Sequence, residues 1–197
     1  MATVVGILGS PRLRGNTHIL VSHILDGARE AGADTDLVLL KDLTIQECDG
    51  CHACWHGKPC PKADDMNDLY PRLIQADAIV LGSPVYWYGP TGLMKLFIDR
   101  LVYFNCPENR AKIRGKPVAL AVTMEEPNPE GASLLVSVFQ KCLEYLEMRL
   151  AARIVVPGLS RKGEMAEKAD RLEEARQIGW DLVCPAGGKR KNNGMHD

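Results

Sequence analysis

The sequence predicts an α/β protein built on a five-stranded, doubly wound parallel sheet. Short apolar runs rich in β-branched residues alternate with longer segments of helical periodicity, which is the pattern of repeated β–α–β units. Each apolar run is too short for a buried helix and apolar enough for a strand that is buried on both faces. Right-handed crossover connections leave few topologies for such strands, and the doubly wound sheet is the simplest of them.

The strands are predicted from five runs of five or six residues in which Val, Ile and Leu are frequent. Loops that follow parallel strands leave the sheet at its carboxyl edge, where ligands bind in folds of this kind. Functional residues are therefore expected directly after each run. The predicted strands are residues 3–8, 35–40, 78–82, 117–122 and 152–156.

Five helices are predicted from apolar residues that recur at intervals of three or four and so share one face. In the first of them, residues 17–30, that face carries Leu20, Val21 and Ile24. Asp64 precedes the second predicted helix together with Asp65, and both carboxylates are candidate caps of its first turn. The remaining predicted helices are residues 68–76, 93–103, 133–148 and 165–183.

The composition is that of a single globular domain, residues 1–184, followed by a polar basic tail, residues 185–197, that we expect to be disordered. With 197 residues, of which 46% are hydrophobic, the chain can bury a core without a disulfide framework. A formal net charge of −1 argues against a nucleic-acid binder. No apolar run approaches the roughly 20 residues that cross a bilayer, and the signal-peptide pattern is missing. We therefore expect a cytoplasmic protein that binds neither nucleic acid nor membranes.

The first loop, residues 9–17, is predicted to bind a phosphate group. It follows the first strand and opens the first helix, so backbone N–H groups and the helix dipole face the carboxyl edge. It lacks the Gly-Lys-Ser/Thr ending of a nucleotide-triphosphate loop and the Gly-x-Gly-x-x-Gly of a dinucleotide site, which favours a terminal phosphate. A capped helix start without a ligand is the alternative. The side chains that suit an anion are Ser10, Arg12, Arg14, Asn16 and Thr17.

The second loop, after the third strand, contains three consecutive aromatic residues. Aromatic faces beside backbone N–H groups suit a flat heteroaromatic cofactor, although aromatic residues are also enriched at subunit interfaces. The loop after the fourth strand begins at Thr123 and is a third candidate element of the site. The second-loop residues expected at the cofactor are Pro84, Val85, Tyr86, Trp87, Tyr88 and Gly89.

Together, the two loops resemble those of the NADPH-dependent FMN reductase group of the flavodoxin-like superfamily. The resemblance lies in Gly-Ser-Pro-Arg-x-x-Gly-Asn-Thr after the first strand and Gly-Ser-Pro-Val-Tyr-Trp-Tyr-Gly after the third, and it covers about residues 3–183. It implies a flavodoxin-like sheet of order 2-1-3-4-5 that binds FMN. It also implies that Ser10, Arg12, Asn16 and Thr17 surround the phosphate, and that the isoalloxazine ring lies beside Pro84, Val85, Tyr86, Trp87 and Gly89.

Four of the seven cysteines crowd into residues 48–60 and are candidate metal ligands. Cys48, Cys51 and Cys54 lie three residues apart and Cys60 follows after five more, a spacing that can supply the four corners of a cubane cluster. Zinc bound with the help of a nearby histidine is an alternative, as are cysteines that hold no metal.

This cysteine spacing, with the Asp-Asp-Met that follows at residues 64–66, resembles the iron-sulfur flavoproteins of anaerobic microbes. Those proteins insert a compact [4Fe-4S] motif after the second strand, which implies that residues 46–66 are an insertion here. The resemblance also implies a homodimer or homotetramer in which the cluster of one subunit faces the FMN of another. The implied ligands are Cys48, Cys51, Cys54 and Cys60.

Three functions are compatible with these motifs. The first is an electron-transfer flavoprotein that passes electrons between a [4Fe-4S] cluster and FMN, with no catalytic acid or base, a ferredoxin or NAD(P)H as donor, and a small-molecule acceptor. The second is an NAD(P)H-dependent FMN or quinone reductase without a cluster, in which the nicotinamide binds transiently as a substrate. The third, outside the enzymes, is a zinc-stabilised binding module.

Overall fold

The computed structural model describes residues 1–184, and a five-stranded parallel sheet forms the centre of the fold. Its order is β2-β1-β3-β4-β5 and every neighbouring pair is parallel, which confirms the predicted doubly wound sheet of order 2-1-3-4-5. The predicted tail, residues 185–197, lies outside the described residues. The strands are β1 (Thr3–Leu8), β2 (Asp34–Leu39), β3 (Ala78–Pro84), β4 (Pro117–Thr123) and β5 (Arg149–Val156).

Helices cover both faces of the sheet, and all five predicted helices are present. One face is covered by α1 (Asn16–Glu30) and α6 (Ala169–Val183). The other face is covered by α2 (Met66–Gln75), α3 (Gly92–Arg100) and α5 (Ser133–Tyr145), and the short α4 (Pro107–Arg110) precedes β4. The sixth helix begins later than predicted because Glu164–Glu167 forms a separate 3-10 turn. Within residues 1–184, we find no helix with the length and apolar character needed to cross a membrane.

The strands differ in how deeply they are buried. The three central strands, β1, β3 and β4, are buried on both faces. Many residues of the edge strands β2 and β5 are half-buried or exposed. The prediction that all five strands are buried on both faces is therefore wrong for the two edges, because the helix layers cover the middle of the sheet more completely than its margins.

The helices α1 and α6 cross at a contact between two glycines. A Cβ atom on Gly27 would lie 1.9 Å from the carbonyl oxygen of Arg176, and one on Gly179 would lie 1.8 Å from that of Ile24. The two backbones thus approach each other directly, and no side chain fits between them. This contact sets the distance at which α6 packs over α1.

Replacement of Gly179 by Ala is expected to lower the free energy of unfolding by about 1–3 kcal/mol, because the added methyl group must push two helix backbones apart. Gly92→Ala is the matched control, since a Cβ at this other helical glycine meets nothing within 4 Å. Urea denaturation followed by far-UV circular dichroism measures both variants. Equal stability of the two would contradict the close backbone contact.

Candidate functional site

The loops after β1, β3, β4 and β5 enclose a cavity of about 130 Å³ at the carboxyl edge of the sheet. β1 and β3 are neighbours, and the chain continues from them toward opposite edges of the sheet. In a doubly wound sheet this point is the usual ligand site. The cavity is lined by Ser10, Arg12, Gly15, Asn16, Thr17, Pro84, Val85, Tyr86, Thr123, Met124, Glu125, Leu159, Ser160 and Lys162.

Eight of the twelve residues that the sequence predicted at a cofactor line this cavity. Of the others, Arg14 belongs to the first loop and three belong to the aromatic loop, namely Trp87, Tyr88 and Gly89, and none of these four borders it. Leu159, Ser160 and Lys162 were not predicted. The loop after β5 carries no recognisable motif, so only the sheet topology brings these three residues to the site.

The first loop presents the start of α1 to the cavity. Gly15 precedes the helix, and Asn16 and Thr17 belong to its first turn, where backbone N–H groups have no partner within the helix. That turn contains no acidic residue, so no carboxylate of the helix itself competes with an anion bound at its start, although Glu125 of the loop after β4 also lines the cavity. Arg12 borders the cavity from the same loop, and Lys162 borders it from the loop after β5. This end of the cavity therefore suits a phosphate group.

The side chain of Asn16 is held by the loop after β5. Its amide nitrogen donates to the carbonyl of Arg161 at 2.9 Å, and its amide oxygen accepts the backbone N–H of Met165 at 3.1 Å. Both polar atoms thus contact main chain, and they join the first loop to the segment that carries Ser160 and Lys162. Asn16 positions the wall of the cavity, and its backbone N–H is the group that we expect to reach an anion.

Hydroxyl groups fix the loops against one another. The Oγ1 atoms of Thr17 and Thr123 share a hydrogen bond of 2.7 Å, which joins the start of α1 to the end of β4. The hydroxyl of Thr91 donates to the carbonyl of Gly9 at 2.6 Å and accepts the N–H of Met94 at 3.2 Å, so it caps α3 and ties that helix to the first loop. A Cβ on Gly9 would lie only 2.7 Å from the Cβ of Met94, which explains the glycine.

The aromatic residues form a tight turn next to the cavity. Tyr86 and Gly89 exchange two main-chain hydrogen bonds of 2.9 and 3.0 Å, and the φ angles of Trp87 and Tyr88 between them are 47° and 63°. Positive φ at both central positions characterises a type I′ turn, which is strained for bulky residues. The turn projects two rings into solvent, because Trp87 is 97% exposed and Tyr88 is 59% exposed.

All four cysteines of the predicted metal site border a second cavity, of about 50 Å³. Cys54 is buried, Cys48 and Cys60 are half-buried, and Cys51 is exposed. Burial raises the pKa of the Cys54 thiol, and the three other thiols raise it further through their proximity. Four sulfur donors around one cavity fit the donor set of a [4Fe-4S] cluster, in which each iron takes one cysteine.

The same side chains do not form a site for a single metal ion. Within residues 1–184, no group of three or more His, Cys, Asp and Glu side chains is placed to hold one ion. A structural zinc site needs four ligands within about 2.3 Å of the metal, whereas the ligands of a cubane stand apart at its corners. The zinc-stabilised module therefore gains no support from the geometry.

A buried ion pair joins the cysteine loop, residues 46–65, to the end of α3. The side chains of Arg100 and Asp64 are 2% and 0% exposed and are linked by two hydrogen bonds. Arg100 also donates to the carbonyl of Gln46 at 3.0 Å and to the sulfur of Cys60 at 3.3 Å. Burial by itself raises the pKa of Asp64, but hydrogen bonds from Arg100 and from the Gln46 N–H outweigh it and hold that pKa below its usual value.

The predicted capping of α2 by Asp64 and Asp65 is right only for the first of them. Asp64 accepts the N–H of Met66 at 3.2 Å, but the carboxylate of Asp65 makes no bond to the helix. Asp65 instead accepts the N–H of Thr44 at 2.6 Å, on the opposite side of the loop. The two carboxylates thus join the end of the cysteine loop to its beginning, because they accept the N–H groups of Thr44 and Gln46.

Comparisons of the sequence with known proteins match it to a family and to relatives whose names describe flavin-dependent proteins. The family described as NADPH-dependent FMN reductase matches residues 2–156. An iron-sulfur flavoprotein of Methanocaldococcus jannaschii is 40% identical over 97 residues, which are 49% of this chain and 50% of that protein. A Bacillus subtilis protein whose name describes an NAD(P)H-dependent FMN-containing oxidoreductase is 26% identical over 178 residues, which are 87% of this chain and 93% of that protein. The chain thus spans about half the length of the iron-sulfur flavoprotein that it matches.

Solved structures show the same fold. A flavone reductase superposes with a TM-score of 0.74 at 19% identity, over 92% of this chain and 62% of that chain. An NAD(P)H:quinone oxidoreductase from Methanothermobacter marburgensis superposes with a TM-score of 0.71 at 17% identity, over 92% of this chain and 98% of that chain. At such low identity these structures establish the fold and not the activity.

Asp64→Ala is expected to lower the free energy of unfolding by about 3–5 kcal/mol, because it leaves the guanidinium of Arg100 buried without a counter-charge. Asp36→Ala is the matched control. Its ion pair with Arg72 lies at the surface, with side chains 44% and 40% exposed, so we expect a loss of about 0–1 kcal/mol. Chemical denaturation of both variants provides the comparison, and similar losses would show that burial of the pair has no special weight.

Proposed function

The chain belongs to the NADPH-dependent FMN reductase family, and from that premise we propose that it is an FMN-dependent oxidoreductase whose cysteine loop carries a [4Fe-4S] cluster. The observation that supports the cluster is the convergence of Cys48, Cys51, Cys54 and Cys60 on one cavity. When bound, FMN supplies one- and two-electron redox chemistry and the cluster supplies one-electron transfer. The residues of this chain bind and orient these groups, and no side-chain acid or base is assigned.

We assign the phosphate of FMN to the end of the first cavity that is formed by the start of α1. Arg12 and Lys162 supply positive charge from two different loops. The hydroxyl oxygen of Ser10 accepts the backbone N–H of Arg12 at 3.3 Å, which leaves its O–H to donate to a phosphate oxygen. The backbone N–H groups of Asn16 and Thr17 complete the set.

The isoalloxazine ring is assigned to the other end of the cavity, beside Pro84, Val85 and Tyr86 of the second loop. Thr123 of the third loop is hydrogen-bonded to Thr17 and lies between the two ends. The exposed pair Trp87 and Tyr88 lies next to the end assigned to the ring. Exposed aromatic side chains of this size mark interaction surfaces. We therefore propose that the turn contacts a second copy of the chain, in a homodimer or homotetramer where the cysteine loop of one subunit faces the flavin of another.

An NAD(P)H-dependent FMN or quinone reductase without a cluster is the second candidate. It is favoured by the Bacillus subtilis relative, which matches 87% of this chain and whose name includes NAD(P)H and FMN but no cluster. In that case NAD(P)H is a transient substrate and a small molecule is the acceptor. In the first candidate the donor is NAD(P)H or a ferredoxin.

Arg12→Ala is expected to raise the Kd for FMN about 10- to 100-fold, because it removes a charge-assisted contact with the phosphate worth about 1.5–3 kcal/mol. Arg14→Ala is the matched control in the same loop, since Arg14 does not border the cavity. Quenching of FMN fluorescence during titration with apoprotein gives both constants. An unchanged Kd for Arg12→Ala would remove this residue from the phosphate site.

Anaerobically prepared protein is expected to contain about four irons per chain beside its FMN. Cys51→Ser is expected to lose the iron and keep the flavin, whereas Cys142→Ser, outside the cysteine cavity, keeps both. Iron analysis and visible absorbance measure these contents. Iron at background level in the wild-type protein would contradict the cluster, and turnover of NADPH with a quinone by that iron-free protein would establish the second candidate.

A further inference from the structure

Arg100 has the largest side chain among the fully buried residues of the described part of the chain, and the FMN cavity does not use it. Its charge is balanced by Asp64. A buried ion pair of this kind seldom adds stability compared with apolar residues of similar volume, because both charges must leave water. The position of the guanidinium thus calls for an explanation other than stability.

The guanidinium donates four hydrogen bonds to residues 46–64, the segment that contains the four cysteines. One terminal nitrogen donates to Asp64 and to the carbonyl of Gln46 at 3.0 Å, and the other donates to Asp64 at 3.1 Å and to the sulfur of Cys60 at 3.3 Å. A neutral thiol accepts hydrogen bonds only weakly, but a metal-bound thiolate carries negative charge and accepts them well. The contact therefore suits Cys60 as a ligand.

The end of α3 that carries Arg100 is held in place by Tyr70 of α2. The hydroxyl of Tyr70 donates to the main-chain carbonyl of Arg100 at 3.0 Å. The ring of Tyr70 stacks on that of Tyr103 with 4.0 Å between the centroids, and both rings border the cysteine cavity. These contacts keep the guanidinium in a fixed position relative to Cys60.

We propose that Arg100 is a positioning residue of the cysteine site, which raises the reduction potential of a cluster bound there through its N–H···S hydrogen bond to Cys60. This inference rests on the proposed function, since it requires the cluster. Reduction adds one electron, and a hydrogen bond that withdraws electron density from the ligand sulfur stabilises that added charge. Because Asp64 balances the formal charge of Arg100, the effect comes mainly from the directed hydrogen bond.

The double variant Arg100→Met/Asp64→Asn tests the proposal, since it removes the donor, conserves net charge and leaves no unpaired buried ion. After anaerobic reconstitution with iron and sulfide, we expect the electron-transfer equilibrium between FMN and the cluster to shift about tenfold toward FMN, which is about 59 mV for a one-electron couple. Spectroelectrochemical titration measures both potentials, and that of FMN should stay unchanged. The surface pair variant Arg72→Met/Asp36→Asn is the matched control and should shift neither.

A second measurement uses the wild-type protein and decides the matter if the double variant does not fold or load iron. Protein labelled with ¹⁵N in its arginine guanidinium groups is reduced, and electron–nuclear double resonance is recorded on the cluster signal. The hydrogen bond to Cys60 predicts a ¹⁵N coupling.

The outcomes separate this inference from the function on which it rests. An iron-loaded double variant with the wild-type potential, or iron-loaded wild-type protein without a ¹⁵N coupling, overturns the role of Arg100 and leaves the cluster in place. Wild-type protein that takes up no iron overturns the proposed cluster and this inference together.

Discussion

Every strand of the sheet runs in the same direction, and this constraint decides where binding can occur. Since each strand of a parallel sheet ends at the same edge, the loops after β1, β3, β4 and β5 meet there although they are far apart in sequence. The hydrogen bond between Thr17 and Thr123 and the one from Thr91 to Gly9 then fix the loops to each other. The cavity is therefore a property of the sheet rather than of any one loop.

The cysteine loop has no such support from the sheet. In the described chain, the 3-10 turn Ala53–His56 is the only regular element of this loop. Polar contacts join it to the rest of the protein, among them the buried pair of Arg100 and Asp64. Burying these two charges is costly because both must leave water. The buried pair nevertheless places a guanidinium against the sulfur of Cys60, and an apolar side chain could not donate that hydrogen bond.

Helix α3 links the two cavities. Its first turn is capped by Thr91, which is bound to the first loop, and its last residue is Arg100, which is bound to the cysteine loop. A helix of nine residues is about 14 Å long and rigid on this scale. The relative position of the two cavities is thus set by one short helix and the sheet on which it packs.

Local pattern in the sequence determined the strands, the helices and two motifs, because the apolar runs of strands, the periodicity of helices and the chemistry of loops are each recorded within a few adjacent residues. Ser10, Arg12 and the four cysteines could be named for that reason. The tertiary structure alone decided that Lys162 borders the first cavity, that Gly27 meets α6, and that Arg100 is buried. In sequence, Arg100 is an ordinary basic residue in the last turn of a helix, and only the packing of a distant loop against that turn removes it from water and aims it at Cys60.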